Sequence, residues 1–112
     1  GGLEKAQAFY RLFMVPGLAH CSGGIGPHAF GTRGAVSPAT MNDPTRDVFA
    51  ALEGWVEKGV APEQFIGSGV DGRTPAKPLT RPICLYPKFA GYKGSGDPND
   101  AANFNCVAPD AR

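Results

Sequence analysis

An α/β class is predicted for this chain by three features of its sequence. Residues 10–15, Tyr-Arg-Leu-Phe-Met-Val, form a short aromatic and aliphatic run that Pro16-Gly17 ends after about six residues. A run this short and this apolar fits a buried parallel strand better than a helix. Residues 43–58 carry the period of an amphipathic helix. Between the two, His20 follows the strand at its carboxyl end, the place where open α/β sheets gather their sites.

Each element has its own grounds. Residues 3–9 are good helix formers with Leu3, Ala6 and Tyr10 on one face, which predicts the end of a helix. Residues 22–42 hold five glycines and two prolines with little apolar periodicity, and read as a long loop of the kind that is functional or supported by neighbouring parts. In the helix over 43–58, Asp43 is expected as the N-cap and Pro44 at the first helical position. Val48, Phe49, Leu52, Trp55 and Val56 then form one apolar stripe, assigned to the core, with Glu53 and Glu57 on the other side. Gly59 stands where a C-terminal glycine belongs. Residues 61–65 fit a single helical turn, and residues 66–70 a short edge strand closed by Asp71-Gly72. Pro75, Pro78, Pro82 and Pro87 predict extended surface coil anchored by Leu79, Ile83, Leu85 and Tyr86. Residues 92–97 make a turn, and residues 97–100 a capped turn that carries Ala101, Ala102 and Phe104 inward. No internal repeat is visible.

Composition narrows the function. The 112 residues suffice for one small domain, and a net charge of +1 spread along the chain gives no footprint for nucleic acid or an anionic membrane surface. No apolar run approaches the ~20 residues of a membrane span. Glycine and proline, at 16 and 11 residues, punctuate aromatic and aliphatic segments without repeating. A chain so rich in loops closes a core with the help of disulfides or as part of something larger. It begins Gly-Gly-Leu, with no initiator Met or signal peptide, as a fragment or processed chain would. Three cysteines leave one thiol to be free or paired outside the chain, and neither CxxC nor zinc spacing is present.

His20 is the candidate general base, and His28 reads as a loop residue. The partners of a triad are missing. No G-x-S-x-G elbow occurs. Ser22 is too near His20 in sequence to face its imidazole, and Ser68 and Ser95 lie in Gly-Ser-Gly loops with no helix after them. Cys21 is adjacent to His20, so in extended backbone their side chains point apart. Asp43 is spent as a cap. Gly24-Ile25-Gly26-Pro27-His28-Ala29 matches the dinucleotide fingerprint in form only, because Pro27 and the lack of a following helix spoil the phosphate cradle. Asp97, Asn99 and Asp100 lack the spacing of a calcium loop, and no metal ligand is assigned. A bridge between Cys84 and Cys106 would close a loop of about 23 residues, worth roughly 3 kcal/mol in the chain-entropy model. It would imply an oxidising compartment and leave Cys21 as the odd thiol.

Three groups of motifs in the chain resemble those of the tannase and feruloyl esterase family. Val15-Pro16-Gly17-Leu18-Ala19-His20-Cys21-Ser22-Gly23-Gly24 is similar to its histidine motif. Residues 43–62, with their Asp-Pro start and Trp-Val-Glu-Lys-Gly-Val-Ala-Pro finish, are similar to its following helix. Arg81-Pro82-Ile83-Cys84-Leu85-Tyr86-Pro87, Tyr92-Lys93-Gly94-Ser95-Gly96-Asp97 and Asn103-Phe104-Asn105-Cys106 resemble its C-terminal tail. The resemblance implies the C-terminal fragment of an α/β-hydrolase domain over residues 1–112: last core strand, catalytic His loop, following helix and disulfide-stapled coil tail. It implies a secreted or periplasmic serine esterase cleaving aromatic-acid esters through a Ser-Asp-His triad. His20 matches the catalytic histidine, Cys21 the cysteine bonded to one beside the nucleophilic serine, and Cys84 and Cys106 the C-terminal disulfide. Serine, aspartate, oxyanion hole and a lid with a structural calcium would lie upstream. The implied partners are that upstream part and an aromatic ester, with no nucleic acid, no membrane and no cofactor in this chain. Alone, the chain is expected to be inactive. The other reading is a non-catalytic, small disulfide-bonded secreted binding domain with His20 structural.

Overall fold

The structure, a computed structural model, describes residues 1–20, 22–31 and 39–110. It is a mixed helix and sheet assembly. Helix α1 spans Leu3–Gln7 and helix α2 Val48–Lys58. Strands β1 (Gly26–Ala29), β2 (Gln64–Val70) and β3 (Pro78–Cys84) form one antiparallel sheet in that order. Strands β4 (Phe89–Tyr92) and β5 (Phe104–Val107) form a second, antiparallel pair. A single 3-10 turn, Ala101–Asn103, leads into β5, and Phe104 after it is buried.

The prolines do not prevent a ladder. β3 is a full strand where coil was expected, and its register explains why. Phe65↔Ile83, Gly67↔Arg81 and Gly69↔Leu79 alternate with Ile66↔Pro82 and Val70↔Pro78. Thr80, between the two prolines, donates its N–H to the Asn99 carbonyl at 2.8 Å, away from β2. Pro78 and Pro82 share that parity, so the N–H they lack would have pointed away from β2 as well. Opposite Pro82, the Ile66 N–H goes to the Thr45 carbonyl at 2.7 Å. β2 is therefore the middle strand of its sheet, not a short edge strand. It begins at Gln64, where a helical turn was expected, and a loop organised by Asp71 replaces the two-residue turn.

The run over residues 10–15 is extended, but among the described residues it makes one antiparallel bridge, Phe13↔Leu85, in place of a regular parallel strand. Tyr86 N–H donates to the Leu12 carbonyl at 2.9 Å beside that bridge. Alternation still holds along the run. Phe13 and Val15 pack against the core of Ala51, Phe65 and Ile83, while Met14 is exposed. The rings of Phe13 and Phe65 lie 4.6 Å apart, tilted by 54°.

α2 starts four residues later than its sequence suggests. Asp43 and Pro44 belong to a preceding turn, in which the Asp43 carboxylate accepts from the Thr45 hydroxyl and N–H at 2.7 and 2.9 Å. That holds its carboxyl below the usual range, the Thr45 hydroxyl contributing most. The cap is Asp47, which is 7% exposed and accepts from the N–H groups of Phe49, Ala50 and Asn42. The helix ends at left-handed Gly59, whose N–H returns to the Trp55 carbonyl. The expected core stripe is only partly buried: Ala51 is the residue of α2 that reaches the interior, Val48 packs beside it, and Phe49, Leu52 and Val56 are 64%, 52% and 77% exposed.

Candidate active site

His20 sits at the tip of a loop that leaves the core after Val15 and returns as β1. The loop is built from backbone crossing backbone. Leu18 and Gly24 form an antiparallel bridge, and Ala19 N–H donates to the Gly23 carbonyl at 3.1 Å. Gly17 and Gly24 are both left-handed, with φ of 79° and 95°. A Cβ on Gly17 would collide with the Ile25 carbonyl, and one on Gly24 with the Gly17 carbonyl oxygen. The two strands of the loop can approach this closely only where no side chain intervenes.

The loop is anchored on both sides. Before it, Phe13 and Val15 are packed into the core. After it, buried Pro27 lies in β1, which pairs Gly26 with Val70 and Ala29 with Ser68. The Phe30 carbonyl then accepts the Val48 N–H at 3.0 Å, tying the exit of β1 to the first residue of α2. His20 itself is exposed, as is Ser22. The side chain most often used to take and return protons near neutral pH is thus presented to the outside on a constrained support.

Other predicted residues are placed elsewhere. Cys21 lies outside the described residues. Cys84 and Cys106 are bonded, with Cα atoms 5.6 Å apart, and join β3 to β5. His28 is in β1 rather than a loop. Ser68 is in β2, and the Asp43 carboxylate accepts from the Thr45 hydroxyl. Among the described residues no group of three or more His, Cys, Asp or Glu side chains is arranged to hold a metal ion.

One mainly apolar hollow, of about 570 Å³, lies at the base of the loop beside Met14, Pro16, Gly17 and Ile25. A second, of about 320 Å³, opens between Phe13 and the Phe49, Leu52 and Trp55 side of α2. The glycine crossing was not foreseen from sequence. Its signal was Gly17, Gly23, Gly24 and Gly26 clustered around one histidine.

Comparison with known proteins assigns the chain. The family model described as tannase and feruloyl esterase matches residues 1–107. An uncharacterized esterase of Xanthomonas campestris pv. campestris is 47% identical over 107 residues, 94% of this chain and 18% of the relative. The mono(2-hydroxyethyl) terephthalate hydrolase of Piscinibacter sakaiensis is 45% identical over 108 residues, 96% of this chain and 15% of the relative. Among solved structures, feruloyl esterase B from Aspergillus oryzae superposes with a TM-score of 0.75 at 36% identity, covering 93% of this chain and 20% of that one. The chain therefore spans a fifth or less of the relatives named here. By the match over residues 1–107, it belongs to the tannase and feruloyl esterase family.

Proposed function

We propose that this chain is the C-terminal part of the catalytic domain of a secreted or periplasmic α/β-hydrolase that cleaves aromatic carboxylic esters, and that His20 is its general base. The observation that carries the proposal is the exposed His20 at the tip of a glycine-closed loop that follows a core-packed extended run. Family membership supplies the reaction class. It leaves the reading as a non-catalytic binding domain without support.

In this mechanism a serine from the upstream part attacks the ester carbonyl while His20 takes its proton. The tetrahedral intermediate collapses, the C–O bond breaks, and His20 returns the proton to the departing alcohol. His20 then takes a proton from water, which attacks the acyl-enzyme, and gives it back to the serine as the acid leaves. An upstream aspartate would hold the imidazole in its working tautomer. Cys21 would be bonded to a cysteine beside the serine and so restrict the distance between base and nucleophile. A structural calcium would belong to the upstream lid and takes no part in these steps.

The exposed Met14 and the open face of α2 support an upstream neighbour, since a helix with an apolar stripe buries it against another element. The test compares two proteins. The full-length enzyme should hydrolyse methyl ferulate or a p-nitrophenyl ester and be inactivated by a serine-directed sulfonyl fluoride. The 112-residue chain alone should turn over neither substrate. Turnover by the isolated chain that is lost in His20→Ala would place the nucleophile within these residues instead.

A further inference from the structure

We infer that Gly17 and Gly24 are positioning residues for the base: their backbone crossing sets where the loop carries the His20 imidazole. This rests on the reading of His20 as the base and goes beyond it. The stretch between the crossing points is short. Ala19 N–H bonds the Gly23 carbonyl, so His20 lies within a closed turn whose neck is the contact of Gly17 with Gly24 and Ile25. All four glycines of residues 17–26 have positive φ. They differ in what a side chain would meet. A Cβ on Gly24 or Gly17 would strike a carbonyl oxygen across the neck. On Gly26 it would come within 2.8 Å of the Pro16 carbonyl oxygen, and on Gly23 it would meet nothing within 4 Å. Widening the neck displaces the tip, and catalysis falls about 100-fold for misplacement of around 1 Å.

The four glycines therefore form a built-in series. Each alanine substitution places an L-residue at positive φ, from 72° at Gly23 and 79° at Gly17 to 95° at Gly24 and 113° at Gly26, but only three of them push on the neck. In the full-length enzyme, Gly24→Ala and Gly17→Ala are expected to lower kcat by roughly 100-fold or more with KM within about threefold, the split that marks a lost transition-state contact. Gly26→Ala should fall between these and wild type. Gly23→Ala should lose the least of the four: its backbone helps close the turn at Ala19, but its Cβ would meet nothing within 4 Å and would not push on the neck. Melting temperatures across the series are measured in parallel. Equal losses in Gly23→Ala and Gly24→Ala would overturn the inference, since strain alone would then account for both. Wild-type kcat in Gly24→Ala would overturn it too. If Gly24→Ala and Gly17→Ala do not fold, Gly26→Ala decides: a drop in kcat at constant KM supports the inference. No difference from Gly23→Ala, or failure of all three neck variants to fold, makes the crossing a folding element and ends it. His20→Ala in the same series separates the two readings. If it is inactive while Gly24→Ala is not, only the positioning role fails; if it is fully active, the base assignment fails.

Discussion

At the scale of single residues, Asp71 holds together segments that have little regular structure of their own. Its carboxylate accepts the N–H groups of Arg73 and Lys77 and the Nδ2 of Asn99, at 3.1, 2.8 and 2.9 Å. These bonds, that from Lys77 first and then that from Asn99, hold its carboxyl below the usual carboxylate range. A carboxyl with a lower pKa in the folded state stabilises the fold at pH values above its unfolded pKa of about 3.9. That contribution is lost as the pH falls through the lower folded value. The melting temperature of the full-length protein should therefore drop on acidification below about pH 4, and Asp71→Asn should flatten that part of the profile. Asp43, held low by Thr45, acts with the same sign. Single residues were unequally legible in the sequence. His20 stood out because a Pro-Gly turn and a histidine at the end of an apolar run are local signals. The contact of Gly17 with Ile25 was not legible, because it depends on the chain returning over itself.

At the scale of elements, the helix was read correctly at its end and four residues early at its start. Asp43-Pro44 and Asp47 both offer a cap, and the sequence favours the first. The structure uses Asp47 because Asp43 is engaged by Thr45 and because Asp47 also satisfies the Asn42 N–H. Asp47→Ala should cost about 1–2 kcal/mol, seen as a lowered melting temperature with the fold retained. The strands were the larger miss. Gly67 and Gly69 in β2 and Pro78 and Pro82 in β3 are poor strand formers, and only the pairing register shows that both prolines face the side that needs no N–H from them. β1, within the supposed long loop, is four residues long and makes sense only beside β2. The disulfide between Cys84 and Cys106 spans 22 residues and staples β3 to β5. Replacing both cysteines by serine should destabilise the protein by roughly 3 kcal/mol, measured by denaturant midpoint, with β4, β5 and the turn before them loosening first.

At the scale of the whole molecule, the core of Ala51, Phe65 and Ile83 is small, and large apolar side chains lie outside it. Phe49, Leu52 and Val56 form a continuous face on α2, and Met14 faces the opposite side of the extended run. Faces of this kind mark surfaces of contact. The isolated chain should accordingly bind a dye such as anilinonaphthalene sulfonate strongly, and the full-length enzyme should bind it far less; equal binding by both would leave the upstream part without a role on these faces. The central claim is narrower than the architecture: one imidazole, carried on a glycine-closed loop, is the base of an esterase. Its most direct test is steady-state turnover of methyl ferulate or a p-nitrophenyl ester by the full-length enzyme and its His20→Ala variant. A loss of kcat of about 10³-fold or more, at unchanged melting temperature, is the result expected for a triad base. A folded His20→Ala variant with the kcat of the wild type would contradict the account.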